Sequence, residues 1–407
     1  MLAMSTPRCD YFEAGRCRSC ALIETPILQQ ISAKEARCRE LLPSVPVGSW
    51  VPTAYGGERD FRNKAKLVVG GIAGDVTLGI LGPDGHGVDL RDCLIQEPGI
   101  RAAIPALAAF VESTGLVPYD VPKRRGELKF VHVTVAPTGE LMLRFVVRTE
   151  HGLNVLRRAL SELRAALPNA TVISVNLLPE HKAVLEGERE ELLLGSSLAM
   201  RLGPGVSEGS GAETDIALHL RPQSFFQTNT RVARELYAQA AEWVAHFDPA
   251  SIWDLYCGVG GFALHCAPRS ASAAASGGEA QRSVLGVELS EAAVSSAERS
   301  AREAGIEARF VAADATAFAL AAPREAIPEL VIVNPPRRGI GAELASWLQG
   351  SGAAQVIYSS CNPESLARDL AAMPAYTVRA GRVFDMFPHT NHLEVMVLLE
   401  RVADSRS

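Results

Sequence analysis

Two groups of cysteines occupy positions where thiols can do chemistry. Cys361 closes the run Gln355-Val-Ile-Tyr-Ser-Ser-Cys361-Asn-Pro-Glu364, which reads as a strand and then a helix capped by Asn362 with Pro363 as its first residue. At the carboxyl end of a strand in an open parallel sheet a thiol lies where ligands bind, and the helix start beside it favours thiolate over thiol. That placement suits nucleophilic attack. Cys9, Cys17 and Cys20 form a C-x7-C-x2-C array, and Cys93 stands in Leu90-Arg-Asp-Cys93-Leu. Four thiolates suit a soft metal centre, a [4Fe–4S] cluster or a tetrahedral zinc, and the spacing is a poor match to zinc ribbons built from two C-x2–4-C pairs. Cys38 lies on a helical stretch and is left out of the set. Cys257 and Cys266 read as buried structural thiols.

Other groups follow strand ends. Asp254-Leu-Tyr256-Cys-Gly-Val-Gly-Gly261 follows a strand and opens a helix, so its glycines let backbone approach a ligand and the helix start offers free N–H groups. Gly286-Val-Glu288-Leu-Ser290 ends the next strand with a carboxylate, which in doubly wound sheets accepts from ribose hydroxyls. Asn334-Pro-Pro-Arg-Arg-Gly339 ends a later strand, where two prolines hold the backbone extended. Phe387-Pro-His-Thr-Asn-His-Leu-Glu394 precedes the apolar run Val395 to Leu399, placing Glu394 at the start of a final strand. His389, His392 and Glu394 can be read as metal ligands, but no fourth stands nearby.

The elements that position these groups fall into three regions of the 407-residue chain. Residues 1–50 hold four of the eight cysteines and a short helical stretch, Pro26 to Leu42. Residues 51–226 read mainly as short strands: Phe130 to Val135 and Leu141 to Arg148 flank a Pro137-Thr-Gly139 hairpin turn, a helical run spans Leu153 to Leu167, and Thr171 to Leu178 is again a strand. This predicts an α+β domain on an antiparallel sheet. From 227 to 407, a helix with Val232, Leu236, Ala240, Trp243, Val244 and Phe247 on one face is followed by alternating strands and helices, the pattern of a parallel sheet wound on both faces. Residues 268–282, rich in Ala, Ser and Gly, read as a flexible surface insertion.

Composition narrows the function classes. With 47% hydrophobic and 21% charged residues, the chain is neither disordered nor a coiled coil. Forty basic against 46 acidic residues give −6, so contact with a polyanion must be local. Candidate patches are Arg59, Arg62, Lys64 and Lys66, and Lys123, Arg124, Arg125 and Lys129. Eight cysteines are too few for a disulfide scaffold. Without a signal peptide or membrane-length apolar run, the chain is expected to be soluble and cytoplasmic, with no membrane association and no stable protein partner.

The glycine loop, opened by an acid and lacking G-x-G-x-x-G, resembles the first motif of class I S-adenosylmethionine methyltransferases. Asp254-x-Tyr-Cys-Gly-Val-Gly-Gly, Asn334-Pro-Pro-Arg-Arg-Gly, Ser360-Cys361-Asn-Pro and His389-Thr-x-His392-x-Glu394 occur in the order seen in RNA uracil-5-methyltransferases, and the resemblance spans almost the whole chain. The family's Pro-Pro motif often begins with Asp; Asn334 points to the short branch that methylates position 747 of 23S rRNA. Cys9-Asp-Tyr and Gly15-Arg-Cys17-Arg-Ser-Cys20 match that branch, and no β-barrel RNA-binding module is expected before them.

The resemblance implies an α/β protein: a C-terminal class I, Rossmann-like methyltransferase domain, an N-terminal iron–sulfur segment and a central α+β RNA-binding domain. It implies Cys361 as the nucleophile on uracil C6 and Glu394 as the general base. Gln227, Tyr256, Glu288, Asn334 and Asp314 (at the adenine end) are implied contacts of S-adenosylmethionine, and Cys9, Cys17, Cys20 and Cys93 ligands of a [4Fe–4S] cluster. The implied partner is 23S rRNA with its uridine single-stranded or flipped out. Phe225 and Phe226, before Gln227, are expected in the core. The rival readings are a tRNA uracil-5-methyltransferase, not expected to carry the four-cysteine set, and an iron–sulfur RNA-binding or redox protein with a dinucleotide-binding fold.

Overall fold

A computed structural model describes residues 6–82, 85–182, 184–203, 215–268 and 282–402. The chain forms two compact units. One comprises Met1–Glu24, Gly57–Met200 and Arg221–Gln223; the other comprises Thr25–Gly56, Arg201–Leu220 and Ser224–Ser407. This redraws the expected boundaries 1–50, 51–226 and 227–407. The physical reason is that the helix Ile27–Leu41 and the strand Trp50–Tyr55 bury their apolar faces in the core of the second unit, where Cys38, Leu42 and Val45 pack beside Val383 and Val395.

The first unit is built on a seven-stranded sheet in the order Gly87–Asp89, Asp75–Leu81, Lys64–Ile72, Leu128–Val135, Leu141–Val147, Ala170–Leu177 and Arg189–Leu194. Its pairings are antiparallel except that between Leu141–Val147 and Ala170–Leu177, which the helices Glu150–Arg158 and Leu160–Ala166 connect. The expected helical run over 153–167 is thus two helices. Gly139, at φ +95°, closes the expected hairpin with its N–H on the Ala136 carbonyl. Alternate residues Leu67, Val69, Val131, Val133, Leu143 and Phe145 face the helix Pro98–Thr114, whose Ile104, Leu107 and Val111 complete the core.

The second unit carries an eight-stranded sheet. Its order is Trp50–Tyr55, Tyr376–Asp385, Glu394–Arg401, Gln355–Ser360, Leu330–Val333, Ser251–Leu255, Ser283–Glu288 and Ala308–Ala312. The five strands from Gln355–Ser360 to Ala308–Ala312 are parallel, as their alternation with helices predicts. Glu394–Arg401 runs antiparallel to both neighbours, and Trp50–Tyr55 adds a parallel edge strand, so the sheet is mixed. Asp248, at φ +46°, ends the helix Thr230–Phe247. The expected insertion 268–282 lies outside the described residues apart from its ends. Of these, Arg282 is buried and donates to Asp248 Oδ1 at 2.8 Å, so it belongs to the frame. Among the described residues no helix is long and apolar enough to cross a membrane.

Candidate active site

Strand ends of the second unit open onto a cavity of about 560 Å³. Gln227, Tyr256, Glu288, Asp314, Asn334, Cys361 and Glu394, the residues expected from the sequence, all line it. The glycine loop forms one wall. Tyr256, at φ +66°, adopts the left-handed backbone that a bulky residue rarely takes, the kind of strain that clusters at ligand sites. Gly258 follows at φ +55° with open space where a Cβ would stand, and Gly261 presses so close to Tyr237 that a Cβ would lie 2.5 Å from its hydroxyl. Backbone therefore meets the cavity directly.

The carboxylates differ by position. Glu288 Oε2 accepts from Gly258 N at 3.1 Å and Oε1 from Ser290 N at 2.9 Å, so it braces the loop from the neighbouring strand. Asp314 caps the helix Ala315–Ala321, accepting from Ala317 N at 2.9 Å. Asp254 is buried, accepts from Ala263 N at 2.9 Å through Oδ2, and has no partner for Oδ1 among the described residues. Burial pushes its pKa up to about 7.

Cys361 stands half-buried at its strand end, before the helix Pro363–Ala371 capped by Asn362. The Asn362 amide also donates to the Arg337 carbonyl at 3.2 Å, tying this turn to the Pro-Pro loop. Beneath, Tyr358 Oη donates to Asp369 Oδ2 at 2.7 Å, and the Ile340 N–H reaches the same oxygen at 2.9 Å. The expected thiolate bias is corrected: burial, then the Glu394 charge, push the Cys361 thiol up, and its own backbone N–H and Arg337 only partly offset this. Cys257 also lines the cavity, but burial, and then the charges of Asp254 and Glu288, hold its thiol well above the ordinary range. Cys266 is fully buried.

Glu394 is 2% exposed, and its Oε1 accepts from Ser359 Oγ at 2.5 Å. Burial pushes its pKa up to about 7, against the Ser359 hydrogen bond that pulls it down. The two histidines of its motif do not join it: His389 is buried at φ +65° against Gln30, and His392 is exposed.

Four further residues belong here. Phe225, expected in the core, is 75% exposed and lines the cavity, whereas Phe226 is buried as expected. Tyr237, one residue past the helical face read as core, lines the cavity with its ring edge-on to Phe262. Ser359 and Phe387 had no signal beyond adjacency to Cys361 and to the His-x-x-His motif.

In the first unit, Cys9, Cys17, Cys20 and Cys93 line a separate cavity of about 180 Å³. Burial, and then the charges of Cys93, Cys17 and Cys9, push the Cys20 thiol up to about 12. Among the described residues no three His, Cys, Asp or Glu side chains are placed to hold a metal ion. Arg62 lines this cavity and is largely withdrawn from solvent; Arg59 and Lys66 are exposed, and Lys64 is held at about 8 by burial. In the second patch Lys123, Arg124 and Arg125 are exposed, but Lys129 is buried, donating to the Glu180 carbonyl at 2.6 Å over the Tyr119 ring. Lys129 is thus a structural residue, not a surface cation.

The family of tRNA (Uracil-5-)-methyltransferases matches residues 211–402. A 23S rRNA (uracil(747)-C(5))-methyltransferase, RlmC, of Shewanella amazonensis is 45% identical over 397 residues, 97% of this chain and 98% of its own. The RlmC of Halothiobacillus neapolitanus is 45% identical over 400 residues, 97% of this chain and 99% of its own. Among solved structures, the tRNA (uracil-54, C5)-methyltransferase of Pyrococcus abyssi, in complex with S-adenosyl-L-homocysteine, aligns with a TM-score of 0.74 at 25% identity, covering 94% of this chain and 85% of its own.

Proposed function

This chain belongs to the family of 23S rRNA uracil-C5 methyltransferases, and from that membership we propose that it methylates C5 of uridine 747 through a covalent adduct on Cys361. S-adenosylmethionine is the methyl donor. The observation that carries the residue assignments is the convergence of Cys361, Glu394 and the five expected donor contacts on one cavity.

The residues fit the donor. The open face at Gly258, the strand-end Glu288 and the cap Asp314 offer a cradle for the ribose and adenine, with Gln227, Tyr256 and Asn334 on the remaining wall. Bound there, S-adenosylmethionine supplies an electrophilic methyl group. Uracil C5 is a poor nucleophile and is stacked in RNA, so the base must first leave its stack. Phe225 offers an exposed aromatic face at the cavity for that base. The Cys361 thiolate forms a bond to C6, and the C5=C6 electron pair moves toward C4 as an enolate. The enolate pair at C5 then takes the methyl group as its S–CH3 bond breaks, leaving S-adenosylhomocysteine. Glu394 removes the proton left on C5, the C5=C6 bond re-forms, and the C6–S bond breaks to release the thiolate. A carboxylate held near 7 is half ionised at neutral pH and can take that proton.

The same reading assigns Cys9, Cys17, Cys20 and Cys93 to a [4Fe–4S] cluster. Its support is the single cavity that the four thiols share and their soft-ligand chemistry. The cluster has no step in the methylation. Phosphate contacts fall to exposed Arg59, Lys66, Lys123, Arg124 and Arg125, and a ribosomal RNA substrate places the work in the cytoplasm.

The test is methylation by purified protein of a 23S rRNA fragment containing U747 and of a tRNA transcript. Mass mapping of 5-methyluridine to position 747 alone is expected. Methylation of the tRNA alone would transfer the assignment to the tRNA branch.

A further inference from the structure

The strand Tyr376–Asp385 and the final strand starting at Glu394 are joined by an eight-residue turn, 386–393, whose ends are set by the pairing of Phe384 with Glu394. Its middle is held from elsewhere. The helix Ile27–Leu41 turns Gln30 and Lys34 onto its buried face, with Arg37 one turn further. Offsets of four and three residues put the three side chains on one helical stripe.

Each of the three ends on the reacting segments. Gln30 Oε1 accepts from the His389 backbone N–H at 2.8 Å, at the residue of positive φ, while its amide nitrogen donates to the Thr25 carbonyl at 2.7 Å. Lys34, 4% exposed, donates to Asp385 Oδ1 at 2.6 Å and to the Phe387 carbonyl at 3.1 Å. Phe387 itself lines the cavity. Arg37 donates to the Asn391 carbonyl at 3.4 Å and pairs with the carboxylate of Glu364, in the first helical turn after Cys361. A buried ammonium–carboxylate pair is weak evidence for stability, because desolvation opposes the attraction, but it restricts geometry.

We propose that Gln30, Lys34 and Arg37 are positioning residues of the reaction: one helix sets the turn that carries Phe387 and leads into Glu394, and ties it to the turn that carries Cys361. The proposal rests on reading Cys361 as nucleophile and Glu394 as base. With Glu394 misplaced, addition to C6 and methyl transfer still proceed, but removal of the C5 proton slows and the methylated RNA stays bound through sulfur.

Two variants of the full chain test it. Lys34→Met alone leaves Asp385 buried and unpaired, so it is combined with Asp385→Asn; Gln30→Leu is the second. Each is assayed for S-adenosylmethionine affinity, kcat, and covalent RNA adduct on a denaturing gel with ordinary uridine RNA. The expected result is donor affinity within twofold of wild type, kcat lowered at least tenfold, and methylated adduct absent from wild type. A smaller fall in kcat, or a fall without adduct, overturns the proposal and leaves the contacts merely structural. Trapping of wild type with 5-fluorouridine RNA reports on the underlying reading separately: no adduct at Cys361 would remove the nucleophile itself.

Discussion

Ser359 donates a 2.5 Å hydrogen bond to Glu394 across two antiparallel strands, two residues before Cys361. The pairing sets the proposed base and nucleophile on adjacent strand ends, and the hydroxyl is the group that lowers the carboxyl pKa against the effect of burial.

Removing that donor has a signed consequence. In Ser359→Ala the Glu394 carboxylate loses a hydrogen bond of about 1.5–3 kcal/mol to a charged group, which is about one to two pH units. Its pKa rises, so the acid limb of the rate profile should move to higher pH, with a larger loss at pH 6.5 than at pH 8.5. An unmoved limb would separate the rate from Glu394 ionisation.

Glu394→Gln keeps the shape and removes the base. Methyl transfer should proceed and elimination should stall, so methylated covalent RNA adduct should accumulate with ordinary uridine RNA; wild-type turnover without adduct would assign the proton to another group. Stability follows the same carboxyl. Its folded pKa of about 7 lies above the ordinary value of 4.5, so the native state binds more protons than the unfolded chain. That contribution is full below pH 4.5 and is lost as pH rises through about 7. The Tm of Glu394→Gln relative to wild type should therefore rise between pH 5 and pH 8, which differential scanning calorimetry can check.

Glu288→Ala removes both the proposed ribose acceptor and the brace on Gly258 and Ser290. Titration calorimetry should show S-adenosylmethionine binding weakened by ~1.5–3 kcal/mol. Unchanged affinity would take Glu288 out of the donor site.

Protein purified without oxygen should be brown, with iron and sulfide in near-equal amounts, and Cys93→Ser should lose most of both. Stoichiometric zinc without iron in the wild type would contradict the cluster.

The site was legible in the sequence where the signals are local. Glycine loops, a strand-end acid such as Glu288, and the Asn362-Pro363 helix start each declare themselves within a few residues, and the parallel strands show as alternation. Pairing between remote segments leaves no such trace. Trp50–Tyr55 joins the sheet beside Tyr376–Asp385, and nothing in its composition announces that neighbour. Phe225 and Phe226 are identical in hydrophobicity, yet irregular backbone turns one outward and one inward. Lys129 carries the same charge as the exposed Lys123 but is captured by a carbonyl and a tyrosine ring. Gln30 and Lys34 interrupt an otherwise apolar buried face of their helix with Ile27 and Cys38, a local sign that the helix packs against polar groups.

The central claim is that Cys361 makes the bond to the substrate base. Wild-type protein incubated with S-adenosylmethionine and a U747-containing fragment bearing 5-fluorouridine should form a stable adduct, because fluorine on C5 does not leave as a proton. Peptide mapping should place the modified base on Cys361, and Cys361→Ala should give no adduct while binding S-adenosylmethionine as wild type does. An adduct mapped to Cys257, or one that survives in Cys361→Ala, would contradict the account.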